Sequence, residues 1–242
     1  MVVAFQLRQR QQVIQQMLHA PDLPATESKR YFDLMLDHTR RMQHLLDDLL
    51  TLSQLESDDH VLKDNVPINV PDLAEALKSD AESLSRGRHT IQLKLDSEAG
   101  LKGNVQEVRS ALGNLVSNAV RYTPDGGKIT LAWREQGDEG VFSVADTGEG
   151  IAPEHIPRLT DRFYRVDRSR SRETGGTGLG LAIVKHVLTR HGARLEIQST
   201  PGKGSTFSAM FPSQRIRHPK DSASNPEGDN VIPFPERDQA AG

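Results

Sequence analysis

Asn114 and Asn118 stand four residues apart in the stretch NLVSNAVRYTP and share one face if that stretch is helical. Arg121 and Tyr122 follow within a turn. Amide oxygens are neutral, hard ligands and a guanidinium neutralises phosphate charge, so the set suits a divalent cation held together with phosphates. It equally suits a helix cap or a polar helix face. The second stretch, DTGEGI from Asp146 to Ile151, comes directly after VFSVAD. An Asp at a strand end followed by Gly148 and Gly150 can offer its carboxylate to an exocyclic amine while the backbone approaches closely. An ordinary glycine turn reads the same way. The third, RFYRVDRSRSRETGG from Arg162 to Gly176, is a basic loop that Phe163 and Tyr164 can anchor and from which Arg165 can reach a terminal phosphate. A merely solvated loop is its plain alternative. The fourth, GTGLGLAIVKHV, places Gly176, Gly178 and Gly180 before a helical run, where free backbone N–H groups make an anion site. It is not the dinucleotide fingerprint, since Ile183 stands where a glycine is needed, and PGKGST (Pro201 to Thr206) lacks the spacing of a P-loop. Each pattern is ordinary by itself; the four in this order are not.

The elements that must hold these residues alternate from about Val66 to Phe211. Strand-like runs are Ile91–Leu95, Ile129–Trp133, Val141–Ala145, Leu195–Gln198 and Thr206–Phe211, and helical runs are Pro71–Leu84, Val105–Tyr122 and Leu179–Arg190. The tight connection from Gly137 to Gly140 predicts antiparallel pairing, so the expectation is an α/β sandwich and not a doubly wound parallel sheet. Ahead of it, residues 1–60 read as two helices broken at HAPDLPAT. Met35, Met42 and Leu49 fall seven apart, as do His38, Leu45 and Leu52, with Arg40, Arg41, Asp47 and Asp48 on outer positions. Such a seam predicts a dimeric four-helix bundle; a hairpin packed on the following domain is the alternative. The fold expected is thus α+β: a helical hairpin over 1–60, the sandwich over 61–212, and a disordered, Pro-rich polar tail over 213–242.

Composition narrows the classes further. A net charge of −3 over 242 residues nominates neither nucleic acid nor an acidic membrane as partner. No cysteine is present, which excludes disulfides, thiolate metal sites and cysteine nucleophiles. No run approaches the ~18 apolar residues of a membrane span, and the expectation is a cytoplasmic chain without membrane contact of its own.

Taken together, the stretches resemble the ATP-binding domain of sensor histidine kinases, whose fold is shared in outline with gyrase-type, Hsp90-type and mismatch-repair ATPases. NLVSNAVRYTP is similar to the family's N box, DTGEGI and GTGLGLAI to its glycine boxes, and RFYRVD to its F box. IAPEHIPRLTDRFYRVDRSRSRETGGTGLGLAIVKH is especially similar to the phosphate-regulon branch. The resemblance implies ATP and Mg²⁺ as cofactors, with Asn118 and Asn114 on the metal, Arg121 and Arg165 on phosphate, and Tyr122 near adenine. It implies that Asp146 accepts from the adenine amine, that Gly148 and Gly150 shape that pocket, and that Gly176, Thr177, Gly178, Leu179 and Gly180 form the lid hinge and phosphate cradle. A homodimer or heterodimer through the hairpin and a response regulator are the implied partners. The branch's membrane anchoring makes the chain read as a piece of an inner-membrane sensor.

Two positions separate this chain from its relatives. Hydrolytic members of the wider family place a carboxylate four residues before the metal-binding Asn, where it activates water; Asn114 cannot take that proton. ATP is therefore expected to be held for transfer, with slow hydrolysis only. In the family's phosphoacceptor motif the histidine and following acid correspond here to Phe5 and Gln6, and the later proline to Arg10. Phenylalanine has no nucleophilic nitrogen, so a kinase with no self-phosphorylation is expected. A non-catalytic ATP-binding module that regulates a response regulator or an intact kinase is the alternative.

Overall fold

The computed structural model describes residues 65–166 and 177–218, and, ahead of them, helical residues 32, 35–36, 39, 42–43, 45–53 and 55. Phe5, Gln6, Arg10, His38 and Gly176 lie outside the described residues, as does the tail from 219. Two compact units divide the chain after His44. In the first, Phe32 and Leu36 are exposed helical residues, and the Thr39 hydroxyl donates to the Met35 carbonyl one turn back.

The second unit contains a five-stranded sheet in the order β2-β4-β5-β7-β6: β2 Thr90–Leu95, β4 Lys128–Gln136, β5 Glu139–Asp146, β6 Arg194–Thr200 and β7 Gly204–Phe211. Only β2 and β4 run parallel; the remaining pairs are antiparallel. Registers align Leu131, Val144, Phe207 and Ile197 in one row and Trp133, Phe142, Ala209 and Leu195 in the next. Because side chains alternate across a strand, both rows share one face. Three helices supply the apolar stripes of the same core: α1 Val70–Ser85, α2 Val105–Tyr122 and α3 Gly180–Arg190.

Each helix start has a local cause. The Asn69 and Asn104 side chains accept the N–H of Asp72 and Glu107, which caps α1 and α2. The α2 stripe of Val108, Ala111, Leu112, Leu115, Val116, Ala119 and Val120 recurs at three- and four-residue spacing and is buried. Asn114, Asn118 and Arg121 sit at its half-buried margin. Trp133 fills the far end of the core and satisfies its indole by donating to the Ala99 carbonyl at 2.8 Å.

A second, antiparallel sheet joins β1 Val66–Ile68, β3 Gly100–Gly103 and β8 Ile216–Arg217 in the order β1-β3-β8. The expectation of disorder from Ser213 is corrected for the first residues of that stretch, because Ser213–Arg215 form a 3-10 turn and β8 pairs with β3. Arg215 holds that return: its guanidinium donates to the His191 carbonyl, the Asn65 amide oxygen and the Lys102 carbonyl.

Residues 45–53 and 55 belong to this unit and bear on the seam expectation. Leu52 and Leu55 are buried in the same core, with Leu45 packed against it, while Leu46, Leu49 and Leu50 stay exposed. One face of this leading segment therefore packs on the sandwich core, and the other is exposed.

His191 closes the junction between α3 and α2. It is buried, its Nδ1 lies 2.8 Å from the Val187 carbonyl, and its Nε2 accepts the Asn104 N–H at 3.2 Å. That arrangement requires a neutral ring, with Nδ1 donating, although Glu107 stands 3.8 Å away beside Arg190 and Arg215. Burial, the largest cause, pushes the imidazole below its ordinary value. The unfolded chain then binds the proton more readily than the fold does. Stability is full above the unfolded value of about 6.5 and is lost as pH falls toward the depressed folded value. Thermal unfolding followed from about pH 8 to about pH 5 is expected to show this slope, and His191→Gln to remove part of it.

Candidate functional site

The four stretches converge at one end of the sandwich. Asp146 ends β5, where its partner across β7 is Ser205. Its Oδ1 accepts the Gly148 N–H at 2.8 Å and the Ser205 N–H at 3.3 Å. Oδ2 takes no hydrogen bond from the described residues, so one oxygen is fixed and the other is available to a ligand. Burial lifts this carboxyl above the usual carboxylate range, and the two backbone donors oppose part of the shift.

The turn after Asp146 rests on the end of α2. A methyl group at Gly148 would fall 2.5 Å from the Tyr122 carbonyl oxygen and 2.7 Å from Asp146 Oδ1, so only glycine fits. The Tyr122 ring itself is half exposed. Farther along, the Ile151 N–H donates to the Ser199 hydroxyl and the Gly202 N–H to the Glu149 carbonyl. The turn carrying Gly150 is thereby tied to the loop between β6 and β7.

The start of α3 packs directly on α2. A methyl group at Gly180 would lie 2.5 Å from Asn114 Oδ1. The Asn114 amide donates through Nδ2 to the Ser110 carbonyl at 3.0 Å, which leaves Oδ1 facing the glycine segment. Two neutral amide oxygens, from Asn114 and from Asn118 one turn on, form a donor set that fits Mg²⁺ arriving with phosphates. No side chain caps the first turn of α3 at Leu179; instead the Leu179 N–H donates to Thr177 Oγ1 at 3.1 Å. His186, farther along α3, is held below its ordinary value by burial first, then by the charges of Arg162 and Lys185.

The segment bearing Arg165 is anchored at both sides. The Phe163 N–H donates to the Gly178 carbonyl at 2.9 Å, joining the two glycine-flanked ends by backbone. Tyr164 is clasped by His155, whose Nδ1 lies 2.7 Å from the phenol oxygen, and by Arg158, 4.3 Å over the ring. Phe163 itself is 61% exposed and adopts a φ of 61°. Arg165 is half-buried next to it.

Two groups of contacts result: Asp146 with Gly148 and Ser205 against the end of α2, and Asn114 of α2 against Gly180, with Thr177 bonded to Leu179 and Gly178 against Phe163. Asn118, Arg121 and Tyr122 follow Asn114 along α2, Arg165 follows Tyr164, and Gly176 is outside the described residues. Sequence reasoning missed Ser205, His155 and Asp48, the last of which accepts from the Thr177 hydroxyl. For Ser205 the available signal was PGKGST, rejected as a P-loop and given no other role.

Residues 103–215 match the family of histidine kinase-, DNA gyrase B-, and HSP90-like ATPases, and the sandwich has the fold of that family. The chain is similar to sensor histidine kinases, the phosphate-regulon sensor proteins among them. The chain is 54% identical over 183 residues to the phosphate regulon sensor protein PhoR of Pseudomonas aeruginosa, covering 75% of this chain and 41% of that protein. To PhoR of Haemophilus influenzae it is 39% identical over 189 residues, 78% of this chain and 44% of the relative. The chain therefore spans about two fifths of the length of these relatives. Among solved structures, the Acinetobacter baumannii histidine kinase AdeS shares the fold with a TM-score of 0.67 at 22% identity, over 84% of this chain and 92% of that one. Among the described residues no helix is long and apolar enough to cross a membrane.

Proposed function

We propose that this cleft binds ATP with Mg²⁺ and that the chain works as the cytoplasmic kinase core of a phosphate-regulon-type two-component relay, without accepting phosphate at position 5. The observation that carries the reading is Asp146, whose Oδ1 is fixed by two backbone donors while Oδ2 is left to accept the adenine amine. Gly148 and Gly150 give the base room, and Tyr122 covers it from the end of α2. Asn114 and Asn118 hold Mg²⁺, which would neutralise the oxygens of the bound phosphates. Arg121 and Arg165 neutralise the remainder, and the backbone from Gly176 to Gly180 cradles the phosphate chain.

Asn114 also decides the fate of the γ-phosphoryl group in this reading. An amide is no general base, so water is not activated and the group is kept for a better nucleophile. Phe5 supplies none. The acceptor is then an imidazole on a partner chain docked through the helical hairpin: its nitrogen forms the new N–P bond as the bond to the β-phosphate oxygen breaks and ADP leaves. A response regulator takes the group onward.

Labelled γ-phosphate supplies the test. Incubated alone with ATP·Mg²⁺, the chain should acquire no acid-labile label; with a related kinase chain that retains its histidine, the label should appear on that partner. Label on this chain would overturn the absence of self-phosphorylation, and mapping it would name the residue that accepts. Docking to the partner without transfer favours the second reading, a nucleotide-binding interaction module, which Phe5 and Gln6 also support.

A further inference from the structure

The leading segment reaches the proposed phosphate cradle. Thr177 Oγ1 donates to Asp48 Oδ2 at 2.7 Å while accepting the Leu179 N–H at 3.1 Å. A carboxylate is therefore one hydroxyl away from the backbone that opens α3, and the Leu179 N–H is already engaged. At the other end of α3, Arg190 donates to the Leu55 carbonyl at 3.4 Å while paired with Glu107 at 3.3 Å. Asp48 and Leu55 are seven residues apart, about two helical turns, so the segment runs alongside α3 and is fastened at both of its ends. Between those points Leu52, 2% exposed, enters the sandwich core.

These fastenings differ in kind. The Leu52, Leu55 and Arg190 contacts are indifferent to a nucleotide, whereas Asp48 places negative charge where a triphosphate would bring more. We propose that Asp48 is an anionic latch: with its helix docked it opposes triphosphate binding at Thr177, and bound ATP in turn releases the helix from α3. This rests on the reading of the cleft as an ATP site. Coupling of this kind is reciprocal, so whatever affinity the docked helix costs ATP, ATP costs the docked helix. The opposition grows with charge at the cradle, so ATP feels it more than ADP, and AMP least. The effect reaches the segment that leads into the hairpin, and Asp48 is the side chain that carries it.

The experiment uses the full chain. Calorimetry measures ATP·Mg²⁺, ADP·Mg²⁺ and AMP on the native protein, on Asp48→Asn and on Leu52→Asp, which detaches the helix by a different route. Asp48→Asn keeps a hydrogen-bond acceptor for Thr177 and removes only the charge. Both variants should bind ATP about tenfold more tightly, within the usual range of such couplings, ADP less so, and AMP unchanged. Because the chain has no cysteine, Ser53→Cys gives one labelling site on an exposed position of the helix. A spin label there should gain mobility when ATP·Mg²⁺ is added, and should be mobile already in Leu52→Asp. If the native chain and both variants bind no nucleotide, the reading of the cleft fails and the latch with it. If nucleotide binds but neither the ATP-to-AMP ratio nor the label responds, the cleft stands and the latch is refuted.

Discussion

Asp146→Asn is expected to abolish nucleotide binding while leaving the unliganded fold as stable as before, or more so. The two halves share one cause. Gly148 and Ser205 both aim N–H groups at Oδ1, so an asparagine must keep its oxygen there and turn its NH₂ to the place of Oδ2. A donor then faces the adenine amine, another donor, and the loss exceeds that of a missing hydrogen bond. About a hundredfold or more in affinity follows from an unsatisfied buried pair. Stability moves the other way. Burial raises the Asp146 carboxyl above its ordinary value, so its contribution to folding is favourable only below the unfolded value of about 3.9 and is lost as pH rises through the folded one. Near neutrality the ionised group is a burden on the empty fold, and a neutral amide relieves it. Thermal unfolding with and without ATP·Mg²⁺ reads both: the native chain should be raised by nucleotide, and the variant should start level or higher and not move. Retention of nucleotide within a few-fold of native affinity would remove Asp146 from the site.

Gly180→Ala is the second large effect, and its sign runs against helix propensity. Alanine favours a helix over glycine by about 1 kcal/mol, so the substitution ought to stabilise α3. Here the new methyl group would stand 2.5 Å from Oδ1 and 3.2 Å from Cγ of Asn114. The amide cannot simply swing aside, because Nδ2 is bonded to the Ser110 carbonyl. Overpacking at such a contact costs about 1–3 kcal/mol, and moving Asn114 also displaces a proposed metal ligand. The variant should unfold at lower denaturant concentration and bind ATP·Mg²⁺ at least about tenfold more weakly, roughly the 1.4 kcal/mol equivalent. Combining it with Asn114→Ala separates the two consequences. The clash disappears, so the double variant should regain stability over Gly180→Ala alone, but not nucleotide affinity. Simple additivity of the two substitutions would show that they do not meet.

What could be read from the residues beforehand follows the range over which each signal acts. The helix Val105–Tyr122 was legible to its ends because its apolar stripe and the Asn104 cap are both local. The five strands of the larger sheet were legible as apolar runs for the same reason. Strands β1, β3 and β8 were not, since three, four and two residues hold too little alternation to register. In the candidate site, the shared face of Asn114 and Asn118 was legible from spacing, whereas Thr177 and Leu179 entered only through the family resemblance. Ser205 was not legible, because it meets Asp146 across 59 residues and only through the β5–β7 register. Asp48 meets Thr177 across 129 residues. Heptad spacing marked Leu45, Leu49 and Leu52 as apolar positions, but it does not say which of them face another helix and which face the sandwich.

The outer strands of the larger sheet have a bearing on how the chain behaves at high concentration. Strands β2 and β6 lack a second neighbour among the described residues, and an unpaired strand offers its backbone to any passing chain. Both carry polar side chains at alternate exposed positions, Thr90, Gln92 and Lys94 on one edge and Arg194, Glu196, Gln198 and Thr200 on the other. Arg194 is further pinned to Glu139 in a two-pronged ion pair. Stacking a second copy edge to edge would strip water from these groups. Among the described residues the sheet therefore stops at five strands, and amyloid-like growth from either side is disfavoured by these polar edge residues.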